Sequence, residues 1–258
     1  MKHPSPKHFE VRAWSAWAPG LATRDEWLQW AREPVPPPRA GAPELKFVPA
    51  MVRRRFSRLS KIALQVAFDA TPPELLTDVC SVFATRHGEA NACVSLLSDI
   101  ARGTPLSPTA FSHSVHNTQS GLFSISAGNG CTSSAIGAGR HTFAAGLIEA
   151  LAVGRRNPGH PVLLVIADEP FPEVFQAFED EHPCAFGLAL LLEPSRVARP
   201  RFTLEFPGSI PGPGAPAREL PQALRFLAWM LQGQGALELG LGGRSLRLSR
   251  TTPPAPGT

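Results

Sequence analysis

Two near-continuous apolar runs constrain the fold of this chain most strongly. They are Pro161–Ala167 (PVLLVIA) and Ala185–Glu193 (AFGLALLLE). A strand with one buried face alternates apolar and polar side chains, whereas a strand covered on both faces is apolar throughout. The two runs therefore predict strands of one sheet with other elements packed on each face. Because helical patterns alternate with strands along the chain, we expect a layered α/β fold.

The remaining elements are predicted from apolar spacing, cap signals and turn residues. Further strands are expected at Phe9–Trp17, Asp78–Arg86, Thr109–Asn117, Gly121–Ala127, Arg201–Phe206 (as a sheet edge) and Ser245–Ser249. Helices are expected at Glu26–Arg32, from Pro49 or Met51 to Ala70, and at Glu89–Ala101, Ser134–Val153 and Leu220–Leu231.

Proline, of which the chain has 28 residues, clusters in connectors and marks the boundaries between segments. We predict an N-terminal extension with a connector (1–45), followed by a main domain (46–206). A Pro/Gly linker (207–221) then leads to a C-terminal helix and strand that complete the domain (222–250). Residues 251–258 are expected to be a disordered tail.

The composition excludes several classes of protein. The net charge of +4 is too small to indicate nucleic-acid binding, and no nucleic-acid-binding motif accompanies it. The four cysteines form no CxxC pair and have no metal-ligand spacing, so we expect no metal site and reduced thiols in a cytoplasmic protein. We expect no secretory signal and no membrane span. Charged residues make up only 18% of the chain, which favours a large buried interface.

The stretch Gly121–Gly154 contains the most distinctive local pattern. We predict a buried strand, a sharp turn at Gly128–Gly130, and a thin, apolar central helix rich in alanine and glycine. Cys131 falls between the predicted strand and helix, where a helix dipole favours the thiolate. Cys131 is therefore a candidate nucleophile. The alternative is that it is a small buried side chain, as most free cysteines are.

The predicted helix that ends at Ala70 begins with a basic segment. Arg54, Arg58 and Lys61 follow at i, i+4 and i+7, which places them on one face. This face is either a docking patch for an acidic partner or an ordinary solvated surface.

Several motifs, in order, resemble the β-ketoacyl synthase N-terminal domain family of the thiolase fold. They are FATRHGE (Phe83–Glu89), LSPTAFSHSVHN (Leu106–Asn117), the SISAGNG–Cys131 turn and LVIADEP (Leu164–Pro170). The resemblance covers about Lys46 to Leu248. It extends to the chain-length-factor-like subunits of aryl polyene pathways.

The resemblance implies a thiolase-like layered fold, limited to its N-terminal half, with a buried central helix in an α/β/α arrangement. In a working ketosynthase a strand leads into a turn that carries the acylated cysteine, and this cysteine heads the central helix. Two catalytic histidines come from the second half of the fold. His141, His160 and His182 of this chain match no catalytic histidine motif.

Two functions are considered, the first from the resemblance and the second from the predicted position of Cys131 at a helix N-terminus. In the first, the chain is a non-catalytic or weakly catalytic chain length factor that pairs with a full-length ketosynthase. Asn117, Thr118 and Gln119 would then face the partner, and Arg54, Arg58 and Lys61 would receive an acyl carrier protein. No cofactor is expected beyond the phosphopantetheine that brings the acyl groups.

The second function is a small acyltransferase that uses Cys131 as its nucleophile. A homodimer without another partner is the remaining alternative.

Overall fold

The computed structural model describes residues 7–194, 202–209 and 219–250. The predicted tail (251–258) and most of the predicted linker (207–221) lie outside the described residues.

The described residues form one eight-stranded sheet and eight α-helices. The strands are β1 (Lys7–Trp17), β2 (Cys80–Ala84), β3 (Ser133–Ile136), β4 (Val162–Asp168), β5 (Phe186–Pro194), β6 (Phe202–Ser209), β7 (Ala236–Leu241) and β8 (Arg244–Arg250). The helices are α1 (Arg24–Trp30), α2 (Ala50–Arg53), α3 (Arg58–Ala70), α4 (Ala90–Ala101), α5 (Pro108–Ser112), α6 (Thr118–Ala127), α7 (Thr142–Arg156) and α8 (Gln222–Gln232). Short 3₁₀ helices cover Pro73–Leu75, Gly139–His141 and Glu173–Phe178.

The strand order is β3-β2-β4-β5-β1-β6-β8-β7. β2 pairs in parallel with β3 and with β4, and every other pair of neighbours is antiparallel. The carboxyl ends of the three parallel strands therefore meet at one end of the sheet. In α/β sheets this is the usual location of functional residues.

The two apolar runs are buried on both faces, as predicted. In β4, Leu163 and Val165 belong to the core formed with α3 and α6, whereas Leu164 and Ile166 belong to the core formed with α7 and α8. β5 divides its side chains between the same two cores. This confirms the layered α/β architecture.

The central helix is confirmed, but its start is not. α7 begins at Thr142 rather than at Ser134, because residues 133–136 form β3. α7 packs closely on the sheet at Gly146, which has no side chain. A Cβ on Gly146 would lie 3.1 Å from the Ala84 Cβ and 3.2 Å from the Leu164 Cδ1.

Two predicted strands are helical. Residues 118–127 form α6, which ends at Gly128 in the left-handed conformation that favours glycine. Thr109–Asn117 is α5 followed by a turn. Ser107 caps α5 by accepting a hydrogen bond from the Ala110 N–H, and Pro108 occupies the first helical position. Apolar residues alternate in both segments as they do in a strand, yet both segments are helical and are bounded by residues that favour helix ends.

Three other predictions need correction. The long helix is broken at Arg54–Ser57, because the Ser57 hydroxyl accepts from the Ser60 N–H and starts α3. The segment predicted as a sheet edge is β6, which lies between β1 and β8. β7 was missed, although the Gly242–Gly243 turn that joins it to β8 is a hairpin signal.

The N-terminal segment contributes directly to the sheet. β1 pairs with β5 along most of its length and with β6 at its start. Trp27 of α1 is fully buried, and its indole N–H donates to the Ala16 carbonyl at 2.9 Å.

Candidate functional site

A polar cluster occupies the carboxyl ends of β2 and β4. Asp168 ends β4, and its carboxylate accepts hydrogen bonds from the Thr85 hydroxyl (2.9 Å) and the Arg86 N–H (2.7 Å). Burial raises the pKa of Asp168 to about 7, against these hydrogen bonds, which lower it. This carboxyl group therefore holds a proton much more readily than an exposed aspartate does.

Arg86 is the centre of an ion-pair network. Its guanidinium contacts Glu181 at 2.5 Å and also pairs with Asp180. Arg140 pairs with Asp180 at 3.0 Å. The loop that follows the 3₁₀ helix Glu173–Phe178 is thereby fixed to the end of β2.

A second network joins three helices beneath this cluster. Glu89 is buried, and one of its carboxylate oxygens accepts from the Ser57 hydroxyl (2.7 Å), the Ser60 hydroxyl (2.9 Å) and the Gln119 amide (2.7 Å). Burial raises the pKa of Glu89, although the three hydrogen bonds lower it. The network therefore connects α3, the start of α4 and α6.

This network corrects the predicted partner surface. The side chains of Thr118 and Gln119 are buried, and Gln119 is committed to Glu89, so neither is presented to a partner. Asn117 is exposed. The start of α6 therefore does not form the three-residue contact surface that the sequence predicted.

The cavity beside Arg86 is small. Its volume is about 40 Å³, and its lining includes His87, Asp168 and Cys184. Sites for organic ligands typically measure about 300–1,000 Å³, so this cavity does not hold an acyl chain. His87 stacks on Phe171, and burial together with the charge of Arg86 lowers the pKa of His87 to about 4.

The turn that heads the central helix is Gly137–His141, between β3 and α7. It contains two glycines, an alanine, an arginine and a histidine, and no cysteine or serine. The Thr142 hydroxyl closes the turn by accepting from the Ala138 N–H at 3.0 Å and donating to the Gly139 carbonyl at 2.7 Å. The turn that heads the central helix therefore has no thiol.

Cys131 lies at the opposite end of the sheet. It precedes β3, so about 20 Å of extended chain separates it from Gly137. Its N–H donates to the Asn129 side chain at 2.8 Å, and its thiol donates to the Asp78 carboxylate at 3.3 Å. No helix begins at Cys131, so the predicted strand–turn–helix geometry around it is wrong.

The environment of Cys131 opposes ionisation of the thiol. Partial burial, and then the hydrogen bond to Asp78 and its charge, raise the pKa of Cys131. The expected depression of the pKa by a helix dipole is absent, since the nearest preceding element is the carboxyl end of α6.

The three basic residues do not form one helical face. α3 begins at Arg58, so Arg54 lies in the turn before it. Arg58 is bound to Glu169 at 2.5 Å, and Asn91 also donates to Glu169. Lys61 is partly exposed. Arg58 thus contributes to the polar cluster, a role that its spacing in the sequence did not indicate.

Two further properties bear on the class of protein. Within residues 7–194, 202–209 and 219–250, no three His, Cys, Asp or Glu side chains are placed to hold a metal ion. In the same part of the chain, no helix is both long enough and apolar enough to cross a membrane.

The parallel strands, the glycine-bearing central helix and the turn before it define a thiolase-like fold of the ketosynthase class. The model of the family described as "Beta-ketoacyl synthase, N-terminal domain" matches residues 27–245, and the chain belongs to this family. A comparison with curated proteins gives no match.

Solved structures agree with this assignment. One is a ketosynthase (ApeO) in complex with its chain length factor (ApeC) from Xenorhabdus doucetiae. The match has 28% identity and a TM-score of 0.79, and it covers 94% of this chain and 99% of the other.

The ishigamide ketosynthase/chain length factor matches at 18% identity with a TM-score of 0.60, covering 79% of this chain and 68% of the other. A β-ketoacyl synthase from Burkholderia phymatum matches at 12% identity with a TM-score of 0.57, covering 79% and 65%. These two matches support the fold.

Proposed function

We propose that this chain is a chain-length-factor-type subunit that pairs with a full-length ketosynthase in polyketide-type chain elongation, of the aryl polyene kind. The observation that carries the proposal is the turn Gly137–His141, which heads the central helix without a thiol. A chain built in this way keeps the ketosynthase fold while leaving acylation to its partner.

The size of the cavity supports the same conclusion. An acyl chain needs a much larger space than the cavity of about 40 Å³ beside Arg86. We propose that the pocket for the growing chain forms where the two subunits meet. The acyl groups would arrive on the phosphopantetheine of an acyl carrier protein.

The surface of the chain offers a face for such a partner. β3 is an edge strand that pairs only with β2 among the described strands, and free edges accept further strands. Large exposed apolar side chains extend over α4 to α6, namely Leu97, Ile100, Leu106, Phe111, Val115 and Ile125. Large exposed apolar patches are typical of interfaces.

Docking of the carrier protein on Arg54, Arg58 and Lys61 has less support. Arg58 is engaged with Glu169, and Arg54 is outside α3. The acyltransferase alternative also loses its structural basis, because Cys131 is at no helix start and its thiol pKa is raised.

Co-expression with a full-length ketosynthase tests the proposal. We expect a stable heterodimer, and intact mass measurement after incubation with acyl carrier protein and extender should find acyl groups on the partner alone. Phe111→Asp should weaken the heterodimer, whereas Val35→Asp, at another exposed apolar side chain, should not. A monomer in the presence of the ketosynthase, or acyl mass on this chain, would contradict the proposal.

A further inference from the structure

Residues 47–55 form an exposed basic and apolar segment, which we call the basic tip. It contains α2 and the first part of the turn that leads to α3. Its apolar side chains are unusually exposed: Met51 is 73%, Val52 is 44% and Phe47 is 43% accessible. Single exposed apolar residues are ordinary, but three within six positions concentrate exposed apolar surface in one short segment.

The base of the tip is firmly held. Leu45 and Val48 are buried, and the ring of Phe47 packs on Phe68 of α3 with a centroid distance of 4.5 Å. The Arg53 guanidinium donates to the carbonyls of Glu44 and Leu45. The exposure of Met51 and Val52 is therefore a property of a fixed segment.

Three consecutive arginines follow the exposed apolar residues. Arg54 and Arg55 are exposed, and the Arg53 guanidinium donates to carbonyl oxygens. The acidic groups at the borders are otherwise engaged: Glu44 pairs with Lys46, and Glu169 pairs with Arg58. The tip therefore keeps an excess of positive charge.

The arrangement of the charges favours one kind of partner. Arg54 and Arg55 lie in the turn after α2, so their spacing defines no helical face for an acidic partner helix. A surface of anionic lipid headgroups attracts positive charge without requiring directional pairs. Exposed apolar side chains beside the cations can enter the headgroup region, as in interfacial membrane-binding segments.

We propose that the basic tip binds the surface of an anionic phospholipid bilayer, with Met51 and Val52 inserted between headgroups and Arg54 and Arg55 above them. This interaction is peripheral and goes beyond the proposed pairing with a ketosynthase. It would bring the subunit, alone or in its complex, to a membrane surface.

Sedimentation with vesicles tests the proposal with the full-length chain. One vesicle set contains phosphatidylcholine alone, and the other contains about a third phosphatidylglycerol to supply the negative charge. We expect binding to the anionic vesicles only. Binding should weaken as salt rises from about 0.1 M to about 1 M, because the screening length falls from about 10 Å to about 3 Å.

Variants separate the contribution of the cations to vesicle binding from that of the apolar side chains. Arg54→Gln with Arg55→Gln should lower the partition coefficient about 25-fold, at about fivefold for each cation. Met51→Ser, which preserves charge, should lower it about tenfold. The matched control is Arg244→Gln with Arg247→Gln, which removes two exposed cations from β8 and should change binding less than twofold.

Equal binding to both vesicle sets, no binding to either, or an equal loss in the β8 control would overturn the proposal. Binding of an acidic carrier protein through Arg54 and Arg55 without vesicle binding would assign the tip to a protein partner instead. Heterodimer formation is measured separately by size exclusion, so failure here leaves the proposed function standing.

Discussion

The guanidinium of Arg140 and the carboxylate of Asp180 are 3.0 Å apart. This ion pair joins the turn that heads the central helix to the loop that carries Glu181. Arg86 binds the same loop from the end of β2. Charged residues from the end of β2 and from the turn before α7 thus hold this loop against the turn that heads the central helix.

Removing Arg86 tests this structural role. Arg86→Met leaves the largely buried Glu181 without its cation, and unpaired buried charges cost about 3–5 kcal/mol. We expect unfolding in urea to report a loss of about 3 kcal/mol. Arg225→Met removes the more exposed pair with Glu219 (2.6 Å) and should cost less than about 1 kcal/mol. Similar losses in the two variants would contradict the role.

A close approach between β5 and α3 leads to a second prediction. A Cβ on Gly187 would lie 2.8 Å from the Ile62 Cγ2, so Gly187→Ala must push the helix from the sheet. We expect a loss of about 1–3 kcal/mol in the free energy of unfolding.

The same substitution at Gly121 provides the control. Gly121 is in α6 with no neighbour within 4 Å of the added Cβ, so alanine should stabilise the helix by up to about 1 kcal/mol. Thermal or urea unfolding measures both variants. If Gly187→Ala left the free energy of unfolding unchanged, α3 would be packed less tightly on β5 than the structure describes.

Asp168 gives the stability a pH dependence. Its pKa is raised in the folded state to about 7, from 3.8, so the folded protein binds a proton more tightly than the unfolded chain. Stability from this group is therefore present below pH 3.8 and is lost as pH rises toward 7. Each pKa unit of difference between the folded and unfolded states corresponds to about 1.4 kcal/mol of folding free energy.

Asp168→Asn keeps an acceptor oxygen and removes the ionisation. The variant should lose the part of the pH dependence that arises between pH 4 and pH 7, and it should gain stability relative to wild type as pH rises. Urea unfolding at several pH values measures the difference. Glu74→Gln, at an exposed carboxylate, is the control, and its stability should have the same pH dependence as that of wild type. Parallel curves for Asp168→Asn and wild type would refute the prediction.

The central strands of the sheet were predictable from the sequence, because their signal lies in the residues of each strand itself. Residues 162–167 of β4 and 186–192 of β5 form uninterrupted apolar runs, which are typical of a strand covered on both faces. Gly146 and its alanine-rich neighbours likewise indicated a helix packed closely on other backbone. These signals concern burial on both sides and do not depend on which strands pair.

The candidate site was harder to predict because it depends on tertiary placement. Gly128 and Asn129 were interpreted as a turn after a strand, yet Gly128 ends α6, and Asn129 binds the Leu76 and Val79 carbonyls. The four-residue β3 has little apolar signal. Its omission moved the predicted helix start by eight residues and made Cys131 resemble a nucleophile. The partnership of Arg58 with Glu169 spans 111 residues, which no local pattern encodes.

The reactivity of Cys131 distinguishes the two functions directly. Partial burial and the adjacent Asp78 raise the pKa of the Cys131 thiol above its ordinary value, which disfavours the thiolate at neutral pH. Alkylation by iodoacetamide, followed by peptide mass spectrometry at Cys131, should be slower than for free cysteine and should accelerate steadily as pH increases. Asp78→Asn removes the carboxylate charge and should accelerate alkylation at neutral pH, whereas Glu74→Gln should not. Alkylation faster than that of free cysteine would instead identify an activated thiol and revive the acyltransferase hypothesis.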